Sequence, residues 1–151
     1  MCRTLVPLLI SNLTGVDAAA AFAESTDRAL PARIVEHLVH LIATVSPGAK
    51  KGSTAPYAYA SLMMIEAGSR QPRSLAAAFR DPVMVGHGIS PDEAAIQAMT
   101  AQLDRFDKAY DSHEARRVMN ATVTDAAALG ETASLPALAA WAARAVRDGK
   151  A

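Results

Sequence analysis

The stretch from Leu30 to Val83 limits the fold of this chain more than any other part of the sequence. Pro31 stands where a first-turn proline is tolerated in a helix, and the pair Pro47–Gly48 ends the helical pattern. From Ala55 to Glu66 the residues are rich in Tyr, Leu, Met and Ile, which predicts a short strand. The apolar residues of the preceding helix recur at helical spacing: Leu30, Ile34, Leu38, Leu41, Ile42 and Val45.

Four further segments carry signals of regular structure. Residues Arg3 to Leu13 predict a strand near the start of the chain, and Val118 to Thr124 predict another. Ser90, followed by a proline and two acids, is a helix N-cap signal, and Ser134 opens a last helix. With the central unit, these segments predict an α+β fold in which a small antiparallel sheet carries helices packed on one side.

The two later helices have clear apolar faces. Asp111 to Glu114 end the first of them, and Trp141 is expected to anchor the second on the core. The apolar face of the first helix consists of Ile96, Met99, Leu103, Phe106 and Tyr110. The apolar face of the second helix consists of Leu138, Trp141, Ala142, Ala145 and Val146.

Length and cysteine usage place the chain in a broad class. With 151 residues, of which 51% are apolar, residues 1–151 are expected to form a single domain with a core. Cys2 is the only cysteine, which excludes an internal disulfide. The first apolar run is short and broken by Pro7, so we expect neither a signal peptide nor a membrane span. We therefore expect a cytoplasmic protein.

Charge is balanced overall but uneven along the chain. Acidic and basic residues cancel, so composition alone does not indicate a nucleic-acid partner. Between residues 46 and 80, however, Glu66 is the single acid among five cations. These cations are Lys50, Lys51, Arg70, Arg73 and Arg80. The sequence therefore predicts a local basic patch on a neutral protein.

The loop from Gly48 to Thr54 is the first candidate binding site. It lacks the order of a P-loop, in which Gly-Lys is followed directly by Ser or Thr between a strand and a helix. Its small residues nevertheless let backbone N–H groups approach an anion, while Lys50 and Lys51 supply charge and Ser53 and Thr54 supply donors. A plain solvated loop is the alternative, and spacing alone favours it.

The turn from Gly68 to Arg73 is the second candidate, because it adds Arg70 and Arg73 at the far end of the predicted strand. Tyr57 and Tyr59 alternate along that strand and would lie on one face of it. They are either aromatic platforms for RNA bases or residues of the core.

Metal binding and catalysis have no motif to support them. His37 and His40 are three residues apart and Glu36 precedes the first, unlike the helical zinc pattern. Cys2 lies near a terminus, and Glu66 has no visible carboxylate partner with which to form an acid–base pair. We expect no metal, no cofactor and no enzymatic activity.

The central residues resemble a known family. The run HLVHLIATVSPGAKKGSTAPY, followed by RQPRSLAAAFRDPV, is similar to the C-terminal part of the CasC backbone subunit of type I-E CRISPR Cascade complexes. Ser11 to Val16 and the final helix around Trp141 also fit, so the resemblance extends from about Ser11 to the end of the chain. Members of that family bind CRISPR RNA and polymerise along it as the backbone of the surveillance complex.

The resemblance implies a partial ferredoxin-like (RRM-like) palm, with the fingers and thumb of the longer family members absent. It places the loop from Gly48 to Thr54 on the RNA side, with Lys50 and Lys51 as phosphate contacts. Arg70 and Arg73 are weaker assignments and are alternatively contacts to a neighbouring subunit. The residues assigned to RNA are Gly48, Lys50, Lys51, Ser53, Thr54, Arg70 and Arg73.

Three hypotheses follow from this resemblance. The first is a non-enzymatic protein that binds CRISPR RNA through its sugar–phosphate chain. The second is a protein–protein module that docks on another Cascade subunit, on copies of itself or on a missing N-terminal half. The third is a truncated gene product without function, since a palm that lacks a central strand would expose sheet edges and apolar surface.

Overall fold

The structure, a computed structural model, describes residues 28–45, 59–68, 73–80 and 88–149. Helix α1 covers Ala29–Thr44, α2 covers Pro91–Tyr110 and α3 covers Leu135–Asp148. Strand β1 covers Leu62–Ala67, β2 covers Ala115–Asn120 and β3 covers Glu131–Thr132. Two 3₁₀ turns, Ala76–Phe79 and Ala127–Leu129, precede α2 and β3. The three predicted helices are confirmed.

The helix ends lie where local sequence signals place them. The Ser90 hydroxyl accepts a hydrogen bond from the backbone N–H of Glu93 at 3.1 Å, and Pro91 opens α2. Helix α2 ends at Asp111, which adopts a left-handed conformation. Ser134 caps α3 in the same way, and Gly149 ends it with φ of 66°. Each serine cap satisfies a backbone donor that the helix itself leaves unpaired.

The sheet of the described residues has the order β1–β2–β3. Strands β1 and β2 pair antiparallel, from Leu62 opposite Asn120 to Ala67 opposite Ala115. The short β3 pairs parallel to β2, which adds a parallel contact to the predicted antiparallel sheet. The α+β fold is confirmed and agrees with a partial ferredoxin-like arrangement.

Apolar residues on both faces of this sheet are covered by helices. Met63 and Ile65 lie against α1 and α3, whereas Leu62 and Met64 lie against a cluster that includes Ile96 of α2. The reason is the composition of β1. Four successive residues are apolar, so both faces of the strand need cover.

Helix α1 buries small residues and exposes large ones. Ala32 and Val39 are buried, and they lie in apolar clusters with Ala139 and Ala143 of α3. The large aliphatic side chains of the predicted stripe lie on a different face: Leu30 is 64% exposed, Leu41 53%, Ile42 68% and Val45 60%. Small side chains on both helices let the backbones approach closely, and that packing decides which face of α1 is covered.

Two strand boundaries differ from those predicted. Strand β1 begins at Leu62 and not near Ala55, since Tyr59 lies outside it. Strand β2 ends at Asn120, because the Asn120 side chain accepts from Thr122 N–H and donates to Thr124 C=O, which forms a turn. The strand predicted for Arg3 to Leu13 lies outside the described residues.

A membrane-spanning helix is not found in the described part of the chain, where none combines the necessary length and hydrophobicity.

Candidate functional site

Most residues predicted to bind RNA lie outside the described residues, so their assignment stays a prediction. The structure places Arg73, the remaining one, three residues before the first 3₁₀ turn. The predicted residues outside the described ranges are Gly48, Lys50, Lys51, Ser53, Thr54 and Arg70.

The guanidinium group of Arg73 is engaged by three neighbours. Its Nε and Nη2 donate to the two carboxylate oxygens of Glu66 at 3.1 and 2.8 Å. Nη2 also donates to Oδ1 of Asp107 at 2.8 Å, and Nη1 donates to the Ser112 hydroxyl at 2.9 Å. The guanidinium carbon lies 5.6 Å from the centre of the Phe106 ring. With a side chain only 19% exposed, Arg73 is held inside the fold.

Arg116 binds the same two carboxylates from the sheet. Its Nε donates to Glu66 at 2.7 Å, and its Nη1 and Nη2 donate to the two oxygens of Asp107 at 2.7 Å each. The Ser112 hydroxyl donates to Asp107 at 2.9 Å. We call Glu66, Arg73, Asp107, Ser112 and Arg116 the ion cluster. Its two positive and two negative charges balance, which makes their partial burial tolerable.

The ion cluster shifts the protonation of its carboxylates. Hydrogen bonds from Arg116 hold the pKa of Asp107 well below its usual value, although burial acts in the opposite direction. Burial alone would raise the pKa of Glu66, but hydrogen bonds from Arg73 and Arg116 outweigh it and the pKa is lowered. Both carboxylates are therefore ionised in the folded protein over the physiological range.

Tertiary structure assembles the ion cluster from distant segments. Glu66 and Arg116 are register partners on β1 and β2, where opposite charges stabilise a strand pair. Asp107 reaches them from the last turns of α2. The sequence showed Glu66 only as an isolated carboxylate, because the register that pairs it with Arg116 cannot be read from local spacing.

The hydrogen bonds of the ion cluster limit how Arg73 could contact RNA. A guanidinium has five N–H donors, and the bonds to Glu66, Asp107 and Ser112 use four donor positions, one at Nε, one at Nη1 and two at Nη2. A phosphate contact by Arg73 stays a prediction, but it would compete with these bonds.

Of the two tyrosines predicted as aromatic platforms or core residues, Tyr59 lies among the residues that the structure describes. Tyr59 precedes β1 and its surface is 73% exposed, so it does not pack in the core. Tyr57 lies outside the described residues. Among the described residues, no three His, Cys, Asp or Glu side chains come together as a metal site requires.

Comparison with known proteins identifies a family and a similar fold. A family model described as "Cas_CT1975: CT1975-like protein" matches residues 5–141. No curated protein matches the chain. A solved chain entitled "CRISPR RNA-guided surveillance complex" is similar in structure, with a TM-score of 0.66 and 22% sequence identity. The match covers 90% of this chain and 48% of the solved chain, so this chain spans about half the length of that relative.

Proposed function

Because the chain belongs to the CT1975-like family of Cas proteins, we propose that it is a non-enzymatic RNA-binding component of a CRISPR Cascade complex. The family match over residues 5–141 is the observation that carries this proposal. The fold shared with a chain of a CRISPR RNA-guided surveillance complex supports it. The finer assignment to the CasC backbone subunit, with CRISPR RNA and other Cascade subunits as partners in the cytoplasm, is part of the same proposal.

The mechanism is sequence-independent contact with the RNA backbone. Lys50 and Lys51 neutralise phosphates, and small residues from Gly48 onward let backbone N–H groups reach phosphate oxygens. Since such contacts leave the base edges free, the guide can pair with its target while it stays bound. Binding of this kind releases counterions and therefore weakens as salt rises.

The test is fluorescence anisotropy of a labelled guide-length RNA, titrated with the chain at several salt concentrations. For about two to four phosphates contacted, the logarithm of the association constant should fall with the logarithm of salt with a slope of roughly −1.4 to −2.8. The double substitution Lys50→Glu/Lys51→Glu should abolish the salt-dependent binding.

A matched variant controls for the charge change. Arg105→Glu/Lys108→Glu reverses two exposed cations on α2 and should bind RNA as the unmodified chain does. Circular dichroism should show the same helical content in all three proteins. Salt-insensitive affinity, or equal loss in both variants, would contradict backbone contact through the Gly48–Thr54 loop.

The exposed aliphatic face of α1 favours a second candidate, a protein–protein module of the same complex. Leu41, Ile42 and Val45 are each more than half exposed, and aliphatic patches of this kind are typical of interaction surfaces. Ile42→Glu should abolish copurification with a Cascade subunit, whereas His37→Glu, at an exposed polar position of α1, should not. Copurification without any RNA affinity would favour this candidate over the first.

A further inference from the structure

We propose that Phe79 and Arg80, at the end of the first 3₁₀ turn, form a further contact for a single-stranded nucleotide, and that Arg73 positions them. The base would stack on Phe79 and a phosphate would pair with Arg80. This inference rests on the proposed RNA-binding function and adds a second contact to the Gly48–Thr54 loop.

The segment from Arg73 to Arg80 is anchored where it begins. Arg73 is bound in the ion cluster by Glu66, Asp107 and Ser112. Two residues later, Leu75 packs against the apolar cluster that contains Ile96, Leu103 and Val118. The start of the segment is therefore tied to α2 and to the sheet by both charge and apolar contacts.

The far end of the same segment faces solvent. Phe79 is 48% exposed although it is a large aromatic residue, and Arg80 is exposed. The backbone N–H of Arg80 donates to the carbonyl of Ala77, which holds Arg80 on the turn. Among the described residues Arg80 has no ion-pair partner, whereas Arg73 and Arg116 are bound in the ion cluster.

An exposed aromatic ring and an exposed guanidinium on consecutive residues suit a nucleotide. Bases stack on aromatic faces irrespective of their sequence, and arginine pairs with phosphate oxygens through parallel N–H groups. Because both residues belong to one anchored turn, the backbone that carries the two side chains needs little further ordering on binding. The same anchoring explains why Arg73 contributes by position, since its own donors are mostly occupied.

The experiment is the same RNA titration, applied to single variants and to combinations of them. Arg80→Gln should make the salt slope less steep by about 0.7, the value expected for one phosphate contact. Phe79→Leu keeps an apolar side chain but removes the aromatic face, so affinity should fall roughly tenfold with the slope unchanged. Arg144→Gln, which removes an exposed arginine from α3, is the control and should change neither quantity.

Arg73→Lys tests the positioning role, because lysine keeps the charge but cannot reproduce the forked hydrogen bonds. It should lower RNA affinity several-fold, with a change in salt slope no larger than that of Arg80→Gln, and it should have no further effect when Phe79→Leu and Arg80→Gln are already present. A merely structural role would lower affinity equally in both backgrounds. A further change in salt slope on Arg73→Gln when Arg80→Gln is already present would make Arg73 a phosphate ligand and overturn its positioning role.

The outcomes separate this inference from the proposed function. If Lys50→Glu/Lys51→Glu loses RNA binding but the Phe79 and Arg80 variants match the Arg144 control, the proposed function stands and this inference fails. If the unmodified folded chain does not bind RNA, both fail.

Discussion

At the scale of single residues, the best-defined feature is the ion cluster. Asp107 accepts hydrogen bonds from two arginines and a serine, and Glu66 accepts from the same two arginines. A carboxylate whose pKa is lowered by folding stabilises the folded state above its unfolded pKa, and this stabilisation is lost as pH falls. The free energy of unfolding should therefore decrease as the pH drops below the ordinary carboxyl pKa values, 3.8 for Asp107 and 4.5 for Glu66.

Asp107→Asn should lower the free energy of unfolding by roughly 2 kcal/mol at neutral pH, because it leaves two arginines with one carboxylate. It should also reduce the loss of stability at acidic pH, since one of the two carboxylates with a lowered pKa is removed. Urea unfolding followed by the fluorescence of Trp141, the chain's one tryptophan, measures both effects across a pH series.

Asp104→Asn is the matched control, since Asp104 is exposed on the same helix. It should change neither the neutral-pH stability nor its pH dependence appreciably. An equal effect of the two substitutions would show that the ion cluster contributes no specific stabilisation.

At the scale of elements, helix starts follow from short local signals. The sequence Ser90-Pro91-Asp92-Glu93 combines a cap hydroxyl, a first-turn proline and two acids near the positive end of the helix dipole. All of these act within one turn, so no tertiary contact is needed to place the start of α2. The face that a helix buries depends instead on tertiary contacts, as the packing of α1 on α3 shows.

Ser90→Ala should lower the free energy of unfolding by about 1 kcal/mol, because it removes the acceptor for the Glu93 N–H. For a chain of this size the thermal midpoint should drop by roughly 2 to 4 °C. Circular dichroism during heating measures it. Ser90→Asp keeps a cap acceptor and should retain most of the stability, and a loss as large as that of Ser90→Ala would argue against capping.

At the scale of the whole molecule, the close contact of α1 with α3 organises the apolar cluster that contains Val39, Ala139 and Trp141. Ala139 is fully buried there, beside Val39 and Trp141. Since Ala139 is fully buried in this closely packed cluster, the interface has little space for additional atoms. The ordering of α1 on α3 therefore depends on alanine at this position.

Ala139→Leu should lower the free energy of unfolding by about 1–3 kcal/mol through overpacking. Ala137→Leu places the same side chain on the exposed side of α3 and should have little effect. Urea midpoints from Trp141 fluorescence compare the two variants. If Ala139→Leu were as stable as Ala137→Leu, the α1–α3 interface would have to be looser than the structure shows.

The sequence by itself determined the helices, their caps and the α+β class, because periodicity, cap hydroxyls and prolines act over a few neighbouring residues. It also carried the resemblance to the CasC family through ordered local runs. The buried face of α3 was predicted correctly from Leu138 to Val146, since that helix has one apolar face and alanines around it.

Only the tertiary structure decided what depends on distant segments. Helix α1 has two apolar faces. Contact with α3 buries the face with the smaller residues and leaves Leu41 and Ile42 exposed. The covering of both sides of the sheet depends on where α2 packs. The arginines connect Glu66 with Asp107 only because β1 and β2 pair in this register and α2 lies beside them. The physical reason is that packing and ion pairing join residues far apart in the chain, and neither leaves a periodic signal in the sequence.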